Sequence, residues 1–240
     1  MKYLKRIIVF LLLLGMLPVC ACKSLQKGTT YPATCFQIGL RYYVEVEPET
    51  VQRLNLKISS IDGLEELGEI EKEFGEPQGM AYVYPDARYP NLAVALLEGK
   101  PAIYTFSNFL APYPDSLEPL WEIFGVTDAS AIASFRLGMQ KKEQSAVFTQ
   151  PFTDQTEVEA LYTRLHDMQP DVTGPHQIYG GASFPIYYIE LTLSNGFLLT
   201  IHYFVQPDFF EVQMLSFDFD TDHSLVDWLM ETYETTQKET

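Results

Sequence analysis

Alternation of apolar and polar residues predicts strands in both halves of the chain. Residues 36–46 alternate aromatic and polar side chains, and Leu54, Leu56 and Ile58 follow at every second position. A period of two places one set of side chains on one face of a sheet, so both stretches are predicted as strands. Shorter strands of the same kind are predicted at 80–84, 92–97, 102–106, 135–139 and 146–149.

A spacing of three to four residues predicts helices elsewhere. Between Asp62 and Gly75, apolar residues recur at this spacing among acidic residues, and the glycine is typical of a helix end. Comparable apolar faces predict helices from Ser116 to Phe124, from Asp154 to Met168 and around 225–233, with a short helical turn near 127–133.

The last hundred residues also predict a hairpin. Strands at 187–193 and 199–205 flank Ser194, Asn195 and Gly196, which are typical turn residues. A third strand starts at Phe210, and its alternation changes phase at Leu215, which predicts a bulge. Residues 170–185 are rich in Gly and Pro and are predicted as a loop.

The order of these elements predicts an α+β fold with antiparallel sheets and helices packed on one face. Both halves are interpreted as strand, helix, three strands, helix. This order suggests two similar units, residues 35–126 and 127–240, although a single larger α+β domain explains the same pattern.

The first residues have the organisation of an export signal. Lys2, Lys5 and Arg6 precede the apolar run from Ile7 to Leu17, and small residues follow it. The run is well short of the roughly 20 residues that a transmembrane helix needs. We therefore expect an exported chain without a membrane span of its own.

Val19, Cys20, Ala21 and Cys22 resemble the lipobox of bacterial lipoproteins. The resemblance implies that a diacylglycerol is attached to the Cys22 thiol and that residues 1–21 are removed as the signal peptide. Residues 22–34 would then be the lipidated cysteine and its tether, and the body would lie on the extracytoplasmic side of the cell membrane. Three alternatives stay open: modification of Cys20 in the neighbouring register, a secretory signal cut near Ala21 with Cys22 as an incidental thiol, and an uncleaved anchor helix, which the short apolar run disfavours.

Charge limits the partners of this chain. The 16 Lys and Arg residues against 32 Asp and Glu residues give a formal net charge of −16. Nucleic acid is disfavoured as a partner, because binding phosphates needs clustered positive charge. An anionic lipid surface would also repel the body, so membrane contact is expected through the lipid anchor alone.

The densest group of possible metal ligands is Asp218, Asp220 and Asp222, followed by His223. An EF-hand loop would need glycine where His223 stands and glutamate where Leu229 stands, so the calcium pattern fails. The acids are interpreted as capping the last helix, which leaves them weak metal candidates, and no cofactor is predicted.

The other reactive residues form no catalytic motif. His166, His176, His202 and His223 are never closely spaced, and Cys35 is the only thiol outside the lipobox. His166 is predicted on the polar side of its helix and His202 on the outer face of its strand. Most aromatic residues are expected in the core, and the exceptions are tyrosines placed in loops near prolines: Tyr82, Tyr84, Tyr89, Tyr113 and Tyr179.

The sequence therefore predicts a non-catalytic, lipid-anchored binding protein whose partner is another envelope protein. The alternative is a hydrolase that acts on envelope polymer or peptide through acids such as Asp218 and Asp220.

Overall fold

Two antiparallel sheets and four α-helices form a mixed α+β structure in the described part of the chain. The computed structural model describes residues 35–71, 77–97, 99–141, 144–167, 171–173, 184–206, 208–213, 215–218 and 224–238. All of them belong to one compact unit, Thr34–Thr240.

The first sheet has six strands and closes on itself. Its strands are β1 (Cys35–Ile38), β2 (Arg41–Glu45), β3 (Glu66–Glu71), β4 (Pro77–Val83), β5 (Leu92–Leu97) and β6 (Lys100–Phe109). Their order is β1-β2-β6-β5-β4-β3, and pairing of Gln37 in β1 with Glu71 in β3 completes a small barrel. We call it the closed sheet.

The second sheet, here called the open sheet, has seven strands. They are β7 (Ile132–Gln140), β8 (Val147–Phe148), β9 (Asp171–Thr173), β10 (Ile186–Leu193), β11 (Leu198–Phe204), β12 (Phe209–Val212) and β13 (Leu215–Asp218). Their order is β8-β7-β10-β11-β12-β13-β9. Within the described ranges, the two sheets share no strand.

The helices are α1 (Pro48–Arg53), α2 (Glu118–Phe124), α3 (Gln155–Asp167) and α4 (Ser224–Lys238), and a single 3₁₀ turn spans Ala129–Ala131. None of the helices in the described segments has both the length and the apolar character needed to cross a membrane.

Several predicted elements are confirmed. The hairpin of β10 and β11 turns at Ser194 to Gly196, and Tyr187 pairs with Tyr203 across it. Helix α2 ends at Gly125, whose φ of 69° is left-handed, as expected for a glycine at this position. Asp154 precedes α3 and accepts the Thr156 N–H at 2.8 Å.

The predicted helix between residues 62 and 75 is wrong, since the described part of this segment contains β3. The pairing of β3 with β4 shifts register on both sides of Gly68. Such irregularities let inward-facing residues fall three positions apart, which is the case for Leu67 and the buried Ile70. The helical spacing was therefore produced by an irregular strand.

The predicted strand through Leu54 and Ile58 is also wrong. Pro48 occupies the first turn of α1, a position that suits proline, and the chain leaves this helix at Leu54. Leu56 then turns back so that its N–H bonds to the Val51 carbonyl at 2.9 Å. The alternating leucines contact the core from irregular backbone and not from a sheet.

Three further boundaries differ from the predictions. Residues 36–46 form two strands, because Gly39 makes a turn with a φ of 54°. The phase change before Leu215 is a second hairpin and not a bulge, since β12 and β13 pair with each other. The loop predicted at 170–185 contains β9. Since β2 precedes α1 in the first half and β9 follows α3 in the second, neither half has the order strand, helix, three strands, helix.

Helix α2 packs against both sheets. The Phe124 ring lies 6.1 Å from Phe106 of the closed sheet and 6.2 Å from Phe197 in the β10–β11 turn, measured between ring centroids. Trp121 in the same helix borders a small gap together with Ile132 and Leu191 of the open sheet. The buried side chains of the two sheets consequently belong to one continuous core.

Candidate functional site

Aromatic side chains fill the interior of the closed sheet. Phe36 of β1 stacks on Tyr43 of β2 at 5.3 Å and meets Tyr104 of β6 edge to face at 4.7 Å. Tyr43 in turn contacts the edge of Phe106. Such pairs stabilise a core beyond the area that they bury. Tyr43 is the member of this cluster that also lines a pocket at one end of the sheet.

An irregularity between β2 and β6 directs one more aromatic ring inward. Tyr42 pairs with Asn108 but Tyr43 pairs with Phe106, so Ser107 is an extra residue on β6. The bulge lets Phe106 and Phe109 both face the interior although they are three positions apart, and their ring centroids lie 4.9 Å from each other. Phe109 thereby reaches the end of the closed sheet.

The residues after β6 fold over the β1–β2 turn at this end. The Leu110 N–H donates to the Leu40 carbonyl at 2.8 Å, which holds the proline-rich segment 110–114 against the hairpin. Prolines restrict the backbone, so the segment keeps its shape at little further entropic cost. Together the hairpin and the segment form the rim of a pocket.

The pocket has a volume of about 530 Å³ and mostly apolar walls. Its lining residues are Ile38, Leu40, Arg41, Tyr43, Leu67, Phe109, Pro112, Tyr113 and Pro114. This volume is within the range of roughly 300–1,000 Å³ that small-molecule sites occupy. Leu40 at the rim is 47% exposed, so the pocket opens to solvent.

Arg41 is the only charged residue among these lining side chains. It stands two positions before Tyr43 on the same face of β2. Burial raises the pKa of the Tyr43 hydroxyl, while the nearby positive charge of Arg41 acts in the opposite direction. Tyr43 is therefore neutral at physiological pH, and Arg41 gives the pocket a positive charge.

A second surface with reactive groups is the outer face of the open sheet, opposite the face that carries its buried side chains. Tyr188, His202 and Glu211 occupy directly paired positions on β10, β11 and β12. The Tyr188 and His202 rings meet edge to face at 5.1 Å. Burial lowers the pKa of His202 and raises the pKa of Glu211 and of Tyr188.

Geometry argues against a catalytic pair at this row. In the described part of the chain, no hydrogen bond or ion pair joins His202 to Glu211. A general base needs such a contact with the group that orients it. The pKa shifts follow from desolvation alone, as expected for residues of a half-buried sheet face.

The edge of the same face is occupied by an internal ion pair. Arg136 Nε donates to Glu190 Oε1 at 2.6 Å, and the guanidinium carbon lies 4.3 Å from the centre of the Phe148 ring. The charge of Arg136 is thus engaged within the chain.

The structure covers only part of the residues singled out from the sequence. Asp218 ends β13, while Asp220, Asp222 and His223 lie outside the described residues, as does Cys22. Within the described ranges, no group of three or more His, Cys, Asp or Glu side chains is placed to hold a metal ion. The hydrolase hypothesis, which needs Asp218 and Asp220 to converge, stays a prediction.

His166 is exposed on α3, which confirms its predicted place on the polar side of a helix. Cys35 begins β1, where the Tyr42 hydroxyl donates to its sulfur at 2.5 Å. His202 lies on the predicted face but is half-buried. His176 lies outside the described residues.

The tyrosines predicted in loops have different positions. Tyr84 and Tyr89 are buried and contact each other, so they belong to the core. Tyr82 lies in β4 and not in a loop, and it packs partly buried against that core. Tyr113 lines the pocket, while Tyr179 lies outside the described residues.

Arg41 was not singled out from the sequence. Its signal was present but weak: it is a lone cation beside an apolar residue, Leu40, in a strongly acidic chain.

Comparison with known proteins adds no identification, since no family, curated protein or solved structure matches the chain.

Proposed function

We propose that this protein is a lipid-anchored, extracytoplasmic binding protein that holds an apolar ligand group, without catalysis, in the pocket at the end of the closed sheet. The observation that carries the binding proposal is the pocket itself, whose mostly apolar and aromatic lining with a single cation is typical of a ligand site. The group that enters could belong to an envelope protein partner or to a free ligand.

The anchoring part of the proposal rests on the lipobox at Val19 to Cys22. Two acyl chains on Cys22 would hold the body stably at the membrane, because each buried methylene contributes about 0.8 kcal/mol. Labelling with a fatty-acid probe tests this directly. Cys22→Ala should abolish the label and Cys20→Ala should retain it, whereas the opposite result would assign the lipid to Cys20.

We also propose that the helices pack on one face of the sheets and that the chain has two units. Trp228 and Tyr233 of α4 contact Phe135 and Tyr187 on the buried side of the open sheet, which supports helices packed on one face. The separate sheets support a folding boundary near residue 126, with units at 35–126 and 127–240.

Binding in the pocket can be tested with an uncharged fluorescent probe, N-phenylnaphthylamine, which brightens in apolar surroundings. Leu40→Trp places a large ring at the rim and should weaken probe binding at least tenfold. Leu198→Trp is the matched control, because Leu198 is similarly exposed, at 40% against 47% for Leu40, but lies on the open sheet. Equal binding by both variants and the unmodified protein would refute the pocket as the binding site.

A further inference from the structure

We propose that the pocket selects amphipathic carboxylates, with the acyl chain against the apolar walls and the carboxylate on the Arg41 guanidinium. This inference rests on the proposed function, because it names the ligand class of the same site.

No carboxylate of the described residues forms an ion pair with Arg41. The ion pairs there join Arg88 to Asp86 and Arg136 to Glu190. Arg136 shows the contrast, since its guanidinium is engaged by a carboxylate and an aromatic ring of this chain. The Arg41 guanidinium has a fork of donors that matches a carboxylate with two parallel hydrogen bonds.

Arg41 lines the pocket together with Tyr43, so its positive charge lies at the pocket wall. Tyr43 is only 4% exposed, and its ring contacts Phe36 and Phe106, so this part of the wall is well packed. The Arg41 charge is close enough to the Tyr43 hydroxyl to oppose the rise in pKa that burial causes. An anion in the pocket would therefore meet a positive charge beside a packed aromatic ring.

The rest of the pocket wall is mostly apolar. Ile38, Leu67 and Phe109 line the pocket together with Arg41. An alkyl chain on these residues is removed from water, which is favourable at roughly 25 cal/mol per Å² of apolar surface. One cation beside an apolar wall therefore complements a molecule with one anionic end and one apolar end.

The net charge of the whole protein limits which anions can approach the pocket. With a formal net charge of −16, the chain repels ligands with several negative charges at long range. A single carboxylate with an apolar chain experiences less of this repulsion and gains the full contact with Arg41. The pocket volume of about 530 Å³ is consistent with a small ligand of this kind.

Calorimetric titration of the full chain with octanoate, n-octanol and octylammonium separates the contributions of charge and chain. We expect octanoate to bind about tenfold more tightly than n-octanol, and octylammonium to bind most weakly. A tenfold ratio corresponds to about 1.4 kcal/mol, near the lower end for hydrogen bonds to charged groups, which suits a guanidinium at the rim.

Arg41→Gln is the decisive variant. It should weaken octanoate binding to the level of n-octanol and leave n-octanol binding unchanged. Arg164→Gln is the matched control, because it removes the same charge from α3, away from the pocket, and should leave the octanoate affinity within twofold.

Different results would contradict the carboxylate inference and the proposed function. Equal affinities for octanoate and n-octanol, with no effect of Arg41→Gln, would overturn the carboxylate inference and leave the pocket as an apolar site. Tightest binding by octylammonium would also overturn it. Absence of binding by all three ligands, or binding that Leu40→Trp does not change, would refute the proposed function itself.

Discussion

The Arg53 guanidinium donates from Nη1 to the carbonyl oxygen of Gly196 at 2.6 Å, which joins the end of α1 to the turn between β10 and β11. Asn195 in the same turn donates to the Arg88 carbonyl at 2.5 Å. The hairpin of the open sheet is therefore held by two polar contacts from the half of the chain that contains the closed sheet.

Loss of the first contact should lower the stability of the whole chain. Arg53→Ala is expected to reduce the free energy of unfolding by about 0.5 to 1 kcal/mol, because the hydrogen bond is charge-assisted but exposed. Urea denaturation measures this difference. Lys100→Ala is the control, since it removes an exposed positive charge that takes part in none of the ion pairs of the described residues. An equal loss there would show that Arg53 has no special role.

Helix α2 contacts the open sheet, so it is expected to affect whether the second half of the chain folds alone. A fragment of residues 127–240 keeps every described strand of the open sheet but loses Trp121 and Phe124, which cover Ile132, Leu191 and Phe197. We expect it to fold but to be less stable than a fragment of residues 115–240, which retains α2.

Amide exchange in the β10–β11 hairpin compares the two fragments. Protection close to that of the full chain is expected in the longer fragment and weaker protection in the shorter one. Fast exchange in both would mean that the open sheet depends on the closed sheet and that the boundary near residue 126 is not a domain boundary.

Burial of Glu211 makes stability depend on pH. Because burial raises its pKa in the folded state, the ionised carboxylate is more costly in the folded than in the unfolded chain at neutral pH. As the pH falls through this raised pKa, the folded protein takes up the proton first and the cost disappears.

Glu211→Gln should therefore stabilise the protein at pH 7 by a modest amount, and the gain should vanish near pH 4, below the ordinary glutamate pKa. Half-exposure limits the size of the effect through solvent screening. Titration of His202 is common to both proteins and largely cancels in the comparison. A gain that persists unchanged at low pH would contradict the desolvation account, and Glu231→Gln on exposed α4 surface is the control.

The residues from Asp218 onward do not match a calcium-binding loop, so we expect added metal ions to leave the stability of the protein unchanged. Millimolar calcium or zinc should move the melting temperature by no more than about a degree. A specific ion at 100 times its dissociation constant would instead add about 2.7 kcal/mol, which corresponds to several degrees. A large rise that is lost in Asp220→Ala would establish a metal site among these acids.

Elements that depend on contacts between residues close in the sequence could be predicted. The β10–β11 hairpin and α2 were predictable, because alternation, turn residues and the terminal glycine act within a few positions. β3 was mistaken for a helix, because its register shifts imitate a helical spacing.

The pocket could not be predicted for a different reason. It depends on the closure between Gln37 and Glu71 and on the extra residue Ser107, and both arise from pairing of distant strands. The sequence around Arg41 alone does not indicate which side chains these pairings bring beside it.

Methyl NMR of the full chain, with labelled isoleucine and leucine side chains and added octanoate, tests the central claim most directly, because it locates the bound ligand. The account predicts that the methyl signals of Ile38, Leu40 and Leu67 shift together along one saturating curve, while Ile186 on the open sheet stays unchanged. Shifts at Ile186, with the signals of Ile38 and Leu67 unmoved, would contradict it and place binding on the open sheet beside Tyr188 and Phe204.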